Sequence, residues 1–194
     1  MNNKNTPAFA EINMGKTDKV QDVIDGKLLE ERKVFLWGMV DDKSARHVVD
    51  RLMYLDALNH DEIKFYINSP GGYVTSGFSI YDTLREIESP VSTICTGLAA
   101  SMGSILLSAG AKGKRFIQPH ARVMIHQPSG GARGVASDIE ITAQEILKTK
   151  EISARILADN CGQKMDKVLK DFNRDHWMDA EESVKYGIVD EIMK

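Results

Sequence analysis

Between residues 89 and 111 the chain carries no charged side chain, and that run limits what the rest can fold into. A stretch of this length could cross a bilayer as a helix. Its composition argues otherwise, because residues 91–111 hold three glycines and six serines or threonines, with Pro90 in front. The front half, Val91-Ser92-Thr93-Ile94, is strand-like, and the back half, Ile105-Leu106-Leu107, is helix-like. A buried strand, a tight turn and a buried helix are expected. The turn, and Ser101 within it, then lies at the centre of the molecule.

Strands and helices alternate on both sides of this run. Val34-Phe35-Leu36-Trp37 reads as a strand ending at Gly38, and residues 63–67 as the next strand, stopped by Asn68-Ser69-Pro70-Gly71-Gly72. Between them Val48, Val49, Leu52, Met53 and Leu55 give a helical apolar face, and a second helix is expected from about Thr75 to Ile87. Residues 115–117 and 122–126 read as short strands. Ser137 followed by Glu140 is a capping-box pattern opening a long helix that ends near Cys161-Gly162. A short helix over residues 165–172 and one opened by Asp179 and Glu182 and closed by Gly187 complete the chain. This alternation indicates an α/β fold with much parallel pairing.

With 194 residues, 42% hydrophobic and 27% charged, the chain can bury one full core. Residues 1–20 are polar and are expected to form a flexible N-terminal segment, with a single domain over 21–194. A net charge of −3 gives no electrostatic reason to expect nucleic acid or an anionic membrane as partner. The N-terminus lacks the apolar run of a signal peptide, and Cys95 and Cys161 lack metal-ligand spacing. A cytoplasmic protein with reduced thiols, no metal and no cofactor is the expectation.

Ser101 sits in Gly97-Leu98-Ala99-Ala100-Ser101-Met102-Gly103-Ser104. Small residues on both sides let a strand turn sharply into a helix and expose one side chain at the corner. Free backbone N–H groups at such a helix start can stabilise a developing oxyanion. A plain helix cap explains the same serine equally well. His126 ends the run Val123-Met124-Ile125 and enters Gln127-Pro128-Ser129-Gly130-Gly131, a good place for a general base. His47, His60, His120 and His176 stand in polar surroundings and read as surface residues. An α/β-hydrolase would carry G-x-S-x-G and its acid between serine and histidine. Here position 99 is alanine and residues 102–125 contain no Asp or Glu. An orienting acid therefore lies elsewhere, most simply downstream, where Asp138, Asp159, Asp166, Asp171, Asp175, Asp179 and several glutamates all remain open. Pro70-Gly71-Gly72 could bring a backbone N–H close to a ligand, although a plain turn accounts for it too. It is not a phosphate loop, since neither G-x-G-x-x-G nor G-K-[ST] is present.

Four separated segments together resemble the proteolytic subunit of the Clp protease: FYINSPGGYVTSGFSIYDTL, CTGLAASMGSILLSAGAKGKRF, RVMIHQPSGGARGVASDIEI and RDHWMDAEESVKYGIVDEI. The resemblance runs from about Leu28 to the C-terminus. It implies a crotonase-like α/β spiral of β-β-α units with a protruding handle helix. It also implies an ATP-independent serine endopeptidase acting in protein quality control. Ser101, His126 and Asp175 would be the triad, so the resemblance selects the acid that spacing leaves open. The N–H groups of Gly72 and Met102 would form the oxyanion hole. Gly71, Gln127, Pro128 and Gly130 would flank an extended substrate, bound by strand addition. Two stacked heptameric rings joined by a glycine-rich handle strand and its helix are implied. So are unfolded polypeptide substrates and an AAA+ unfoldase partner.

The sequence also departs from the family. The N-terminal segment does not look like the usual axial loop and reads as a propeptide or a divergent gate. Around the expected unfoldase cleft Tyr66 and Phe116 fit, whereas Lys64, Glu86 and Gln118 stand where apolar residues are expected. Asn173 replaces an acid beside Arg174 that would contribute to contacts between rings. A weakly active or structural subunit of a mixed ring is one rival reading. A crotonase-type acyl-CoA enzyme is another, but such an enzyme does not need the serine–histidine pair.

Overall fold

The computed structural model describes residues 17–194. In chain order the elements are α1 (Thr17–Glu30), β1 (Lys33–Trp37), α2 (Asp42–Leu58), β2 (Ile63–Ser69), α3 (Val74–Glu86), β3 (Val91–Ala100), α4 (Met102–Ser108), β4 (Arg115–Ile117), β5 (Arg122–Ile125), α5 (Ala136–Cys161), α6 (Met165–Asp171), β6 (His176–Met178), α7 (Ala180–Tyr186) and β7 (Glu191–Ile192). Helix α1 crosses the expected boundary at residue 20; the rest of the expected N-terminal segment lies outside the described residues.

The seven strands form one sheet, ordered β1-β2-β3-β4-β7, with β5 on β3 and β6 on β5. All pairings are parallel except β5–β6. Strand β3 is the organising element. Its first half pairs with β4 (Thr93↔Arg115 to Cys95↔Ile117), and its second half pairs with β5 (Leu98↔Arg122 to Ala100↔Met124). A register shift opposite Ile67 and Ser69 separates the halves, and there the Leu98 N–H donates to Asn68 Oδ1 at 3.2 Å. The bulge bends β3 and re-aims its end, as such insertions do. The β5–β6 pair therefore turns away from the main sheet, and Ser101 lies at the divergence.

Residues 91–95 are all buried, and so is every residue of α4. The charge-free run is thus the core strand and helix that its composition predicts. Val34, Leu36, Phe65, Ile67, Leu106 and Leu107 are 0–1% exposed and pack with Leu52 and Leu55 of α2. Burial of such apolar side chains stabilises by roughly 1.5–3 kcal/mol each. Met53, read as part of the α2 apolar face, is instead 54% exposed, and Ala45 takes the inner position.

Asp41 and Asp179 both close capping boxes, with Ser44 and Glu182 respectively. The expected capping box at Ser137 is absent: α5 starts two residues earlier than that cap requires, with Val135 as N-cap and no side-chain cap. The first half of α5 is solvent-facing, and its buried residues are Ser153, Ala154, Leu157 and Ala158, all in the second half. The glycine-rich residues 127–131, expected as a strand, have no ladder partner within the described residues and form irregular chain. The C-terminal elements are tied in by Arg115, which donates to both Asp190 oxygens (2.9 and 2.5 Å) and to the carbonyls of Asn160 and Gly187. Burial raises the Asp190 carboxyl, but the hydrogen bonds from Arg115 outweigh that and hold it below the ordinary carboxylate range.

Candidate active site

Two ladders set the site's register. Ala100 pairs with Met124, and the Ser101 N–H donates to the Met124 carbonyl at 2.9 Å, so the elbow after β3 sits beside the end of β5. Ile125 pairs antiparallel with His176, which brings the residue after β5 opposite the residue before β6. Those residues are His126 and Asp175. Three residues distant in sequence are thereby brought together by backbone pairing alone.

The side chains complete the arrangement. His126 Nε2 lies 2.8 Å from Ser101 Oγ, and His126 Nδ1 lies 3.1 Å from Asp175 Oδ1. Both distances are within hydrogen-bond range. The imidazole is partly buried, whereas the Asp175 side chain is 58% exposed. Of the other downstream candidates, Asp171 pairs with Lys167 and Asp179 caps α7. Asp175 was legible only from the resemblance, because residues 173–177 read as irregular in the sequence. Three residues of β6 are enough to fix its position.

Ser101 is the N-cap of α4 and has φ 53°, ψ −121°, a conformation that L-residues rarely adopt. Such backbone costs on the order of 1–3 kcal/mol and persists only where the surroundings enforce it. The plain-cap reading fails in one respect: the Ser101 side chain makes no cap hydrogen bond, and its hydroxyl faces His126 instead.

The Gly71-Gly72 turn packs directly against this elbow. A Cβ on Gly71 (φ +91°) would lie 2.7 Å from Ser101 Cβ, and one on Gly72 (φ +156°) would lie 2.1 Å from the Val40 carbonyl oxygen. Only glycine permits that approach. Gly71 spends its own polar groups inside the fold: its N–H donates to Ser69 Oγ at 3.1 Å, and its carbonyl accepts from the Val40 N–H at 2.8 Å. Among the described residues neither the Gly72 N–H nor the Met102 N–H has an acceptor.

Gln127 and Pro128 are partly buried beside His126. The Gln127 backbone N–H donates to the Phe172 carbonyl at 2.6 Å, and its side-chain amide donates to the Asn173 carbonyl (2.9 Å) and to Asn173 Oδ1 (3.3 Å). Sequence reasoning missed this tie from Gln127 to the loop that carries Asp175. Gly130 stands further out, where a Cβ would meet Ile146 of α5 at 2.7 Å. Neither cysteine rivals Ser101, since burial pushes the thiols of both Cys95 and Cys161 up to about 12. Among the described residues no cluster of His, Cys, Asp or Glu could hold a metal ion, and no helix is long and apolar enough to cross a membrane.

A model of the Clp protease family matches residues 15–194, nearly the whole chain. The chain belongs to the Clp protease family. It is a peptidase of the Clp type, and its α/β architecture is the crotonase-like fold of that family. In this setting the register shift in β3 is what separates the main parallel sheet from the β5–β6 arm. The protruding first half of α5 is the handle helix.

Proposed function

We propose that this chain is an ATP-independent serine endopeptidase in which Ser101 is the nucleophile, His126 the general base and Asp175 the orienting acid. The observation that carries the reading is the unbroken line from Ser101 Oγ through both ring nitrogens of His126 to Asp175 Oδ1. His126 Nε2 takes the proton from the Ser101 hydroxyl as Oγ attacks the scissile carbonyl. Asp175 accepts from Nδ1–H, fixing the tautomer and stabilising the imidazolium that forms. The carbonyl oxygen turns negative as its double bond opens and faces the N–H groups of Gly72 and Met102, both free to donate. Collapse of the tetrahedral intermediate expels the amine, which takes its proton from His126. Water then repeats the sequence on the acyl-enzyme.

The substrate lies extended between the Gly71-Gly72 turn and residues 127–130, held mainly by its backbone. This suits unfolded polypeptides of varied sequence. Within its family's usual organisation the chain works in the cytoplasm as two stacked heptameric rings fed by an AAA+ unfoldase. The N-terminal segment, residues 1–20, then acts as a gate or a removable propeptide. A second reading, a poorly docking or structural subunit of a mixed ring, is favoured by Lys64, Glu86 and Gln118, all exposed and polar. Leaving such groups unpaired under an apolar loop disfavours docking.

Reaction with a fluorophosphonate, with Ser101→Ala as control, tests the chemistry. Labelling confined to Ser101 is the expected result. A folded protein that takes no label would sink the peptidase reading and leave the structural-subunit reading standing.

A further inference from the structure

Asp175 belongs to the short connection, residues 172–175, between α6 and β6. The β5–β6 ladder places that connection, but a ladder of three residues with few buried contacts opens readily. Further contacts grip it at both ends. Asp171, just before it, accepts from Lys167 Nζ at 2.5 Å, and that ammonium lies 4.4 Å from the centroid of the Tyr186 ring. His176, just after it, lies with its ring 5.8 Å from the Tyr186 ring and tilted by 44°. Both separations are within the range of favourable cation–π and aromatic contacts. One side chain of α7 thus meets both ends of the connection that carries Asp175.

Tyr186 is itself firmly held. It is 7% exposed and part of the hydrophobic core, and its carbonyl accepts from the Gln163 side-chain amide at 2.8 Å. Its hydroxyl, by contrast, is buried without a hydrogen-bond partner. Burial, reinforced by the Asp171 charge, pushes the phenol above its ordinary range, so it stays neutral. The contacts are therefore made by the ring. Around them the packing is open: a cavity of about 240 Å³ is lined by Gln163, Lys167, His176, Trp177, Glu182 and Tyr186. Without the ring, β6 has room to shift.

We infer that Tyr186 is a positioning residue for Asp175. Its ring clamps the Lys167–Asp171 pair at one end of the connection and His176 at the other, and so keeps Asp175 within reach of His126. The inference rests on the peptidase function proposed above and goes beyond it, since Tyr186 makes no hydrogen bond to Ser101, His126 or Asp175.

The test compares Tyr186→Leu and Tyr186→Phe, each alone and combined with Asp175→Ala, on an unstructured peptide. The rate of fluorophosphonate labelling at Ser101 is followed in parallel. Tyr186→Leu should lower kcat by about tenfold to a hundredfold at little-changed KM, the cost of a misplaced catalytic group. Tyr186→Phe keeps the ring and should match the parent. In the Asp175→Ala background Tyr186→Leu should slow labelling no further, because losses that act through one group do not add. Should leucine prevent folding, Lys167→Met decides, being a change at the half-exposed end of the clamp. It should give a smaller fall in kcat that also vanishes without Asp175. A folded Tyr186→Leu protein with the parent's kcat overturns the inference. So does an equal loss with and without Asp175, the mark of a purely structural role. If leucine does not fold, Lys167→Met at the parent's rate overturns it too. Each of these results leaves the peptidase standing as long as the parent labels at Ser101. A parent that neither labels nor cleaves overturns both readings together.

Discussion

Ser101 and Asp175 lie at two ends of one hydrogen-bonded line, yet the structure holds them in opposite ways. Ser101 stands between a buried strand and a helix buried along its whole length, in a backbone conformation that only tight surroundings enforce. Asp175 stands on an exposed connection, fixed by the three-residue pairing of β5 with β6 and by the tie from Gln127 to Asn173. The position of Ser101, the proposed nucleophile, is therefore set by the core, and losing it means losing the fold. The acid's position is set by a few surface hydrogen bonds and can be lost alone. Regions with few buried contacts and exposed hydrogen bonds open first. Alignment of Asp175, the proposed acid, is thus the weak step in assembling the site.

The sharpest test of the contrast is chemical. Ser101→Ala should abolish fluorophosphonate labelling and lower peptide hydrolysis about a million-fold, the cost of losing a serine nucleophile from an intact relay. Its circular dichroism should stay that of the parent. A variant with substantial remaining activity would move the nucleophile elsewhere. Next in size is Asp175→Asn, with a fall of roughly 10³–10⁴ in kcat, because the amide leaves the imidazole in the wrong tautomer. Stability should shift by no more than about 0.5 kcal/mol in urea unfolding, as for other exposed sites. If this variant unfolds the protein, the acid belongs to the rigid half and the contrast is broken. A smaller effect is expected of Gln127→Ala, which removes two hydrogen bonds to Asn173. A fall of about tenfold in kcat with little change in KM would mark a positioning role, since a looser relay weakens the transition state rather than substrate binding. A change confined to KM would place Gln127 in substrate contact instead.

The same contrast explains what the sequence could reveal. Uncharged residues, small residues at a turn and apolar spacing are local signals, and they mark β3, the elbow and α4 in the sequence itself. Capping patterns succeeded at Asp179 and failed at Ser137, where the helix had already begun at Ala136. Asp175 left no local signal. Its role depends on an antiparallel pairing between segments some fifty residues apart, and β6 is too short to show a period. Only the resemblance to a known family supplied it. The Gln127–Asn173 contact was hidden for the same reason, and Asn173 was read only as a missing acid. The split of β3 between two partners was equally invisible, being a property of the register shift rather than of composition.

The smallest expected effect isolates the strain itself. Ser101→Gly and Ser101→Ala both remove the hydroxyl, but only glycine removes the Cβ that makes φ 53°, ψ −121° unfavourable. Relief of about 1–3 kcal/mol of backbone strain is opposed by about 0.5–1 kcal/mol from the freer unfolded chain. The glycine variant should therefore be more stable than the alanine variant by about 1 kcal/mol, read from denaturant midpoints at unchanged slope. Alanine keeps the Cβ and should resemble the parent. If glycine is the less stable of the two, the elbow stores no strain, and the core would tolerate Ser101 rather than enforce it. The rigid half would then differ from the acid's half only in burial. A measured gain would instead mean that this chain gives up folding stability to hold one hydroxyl toward His126.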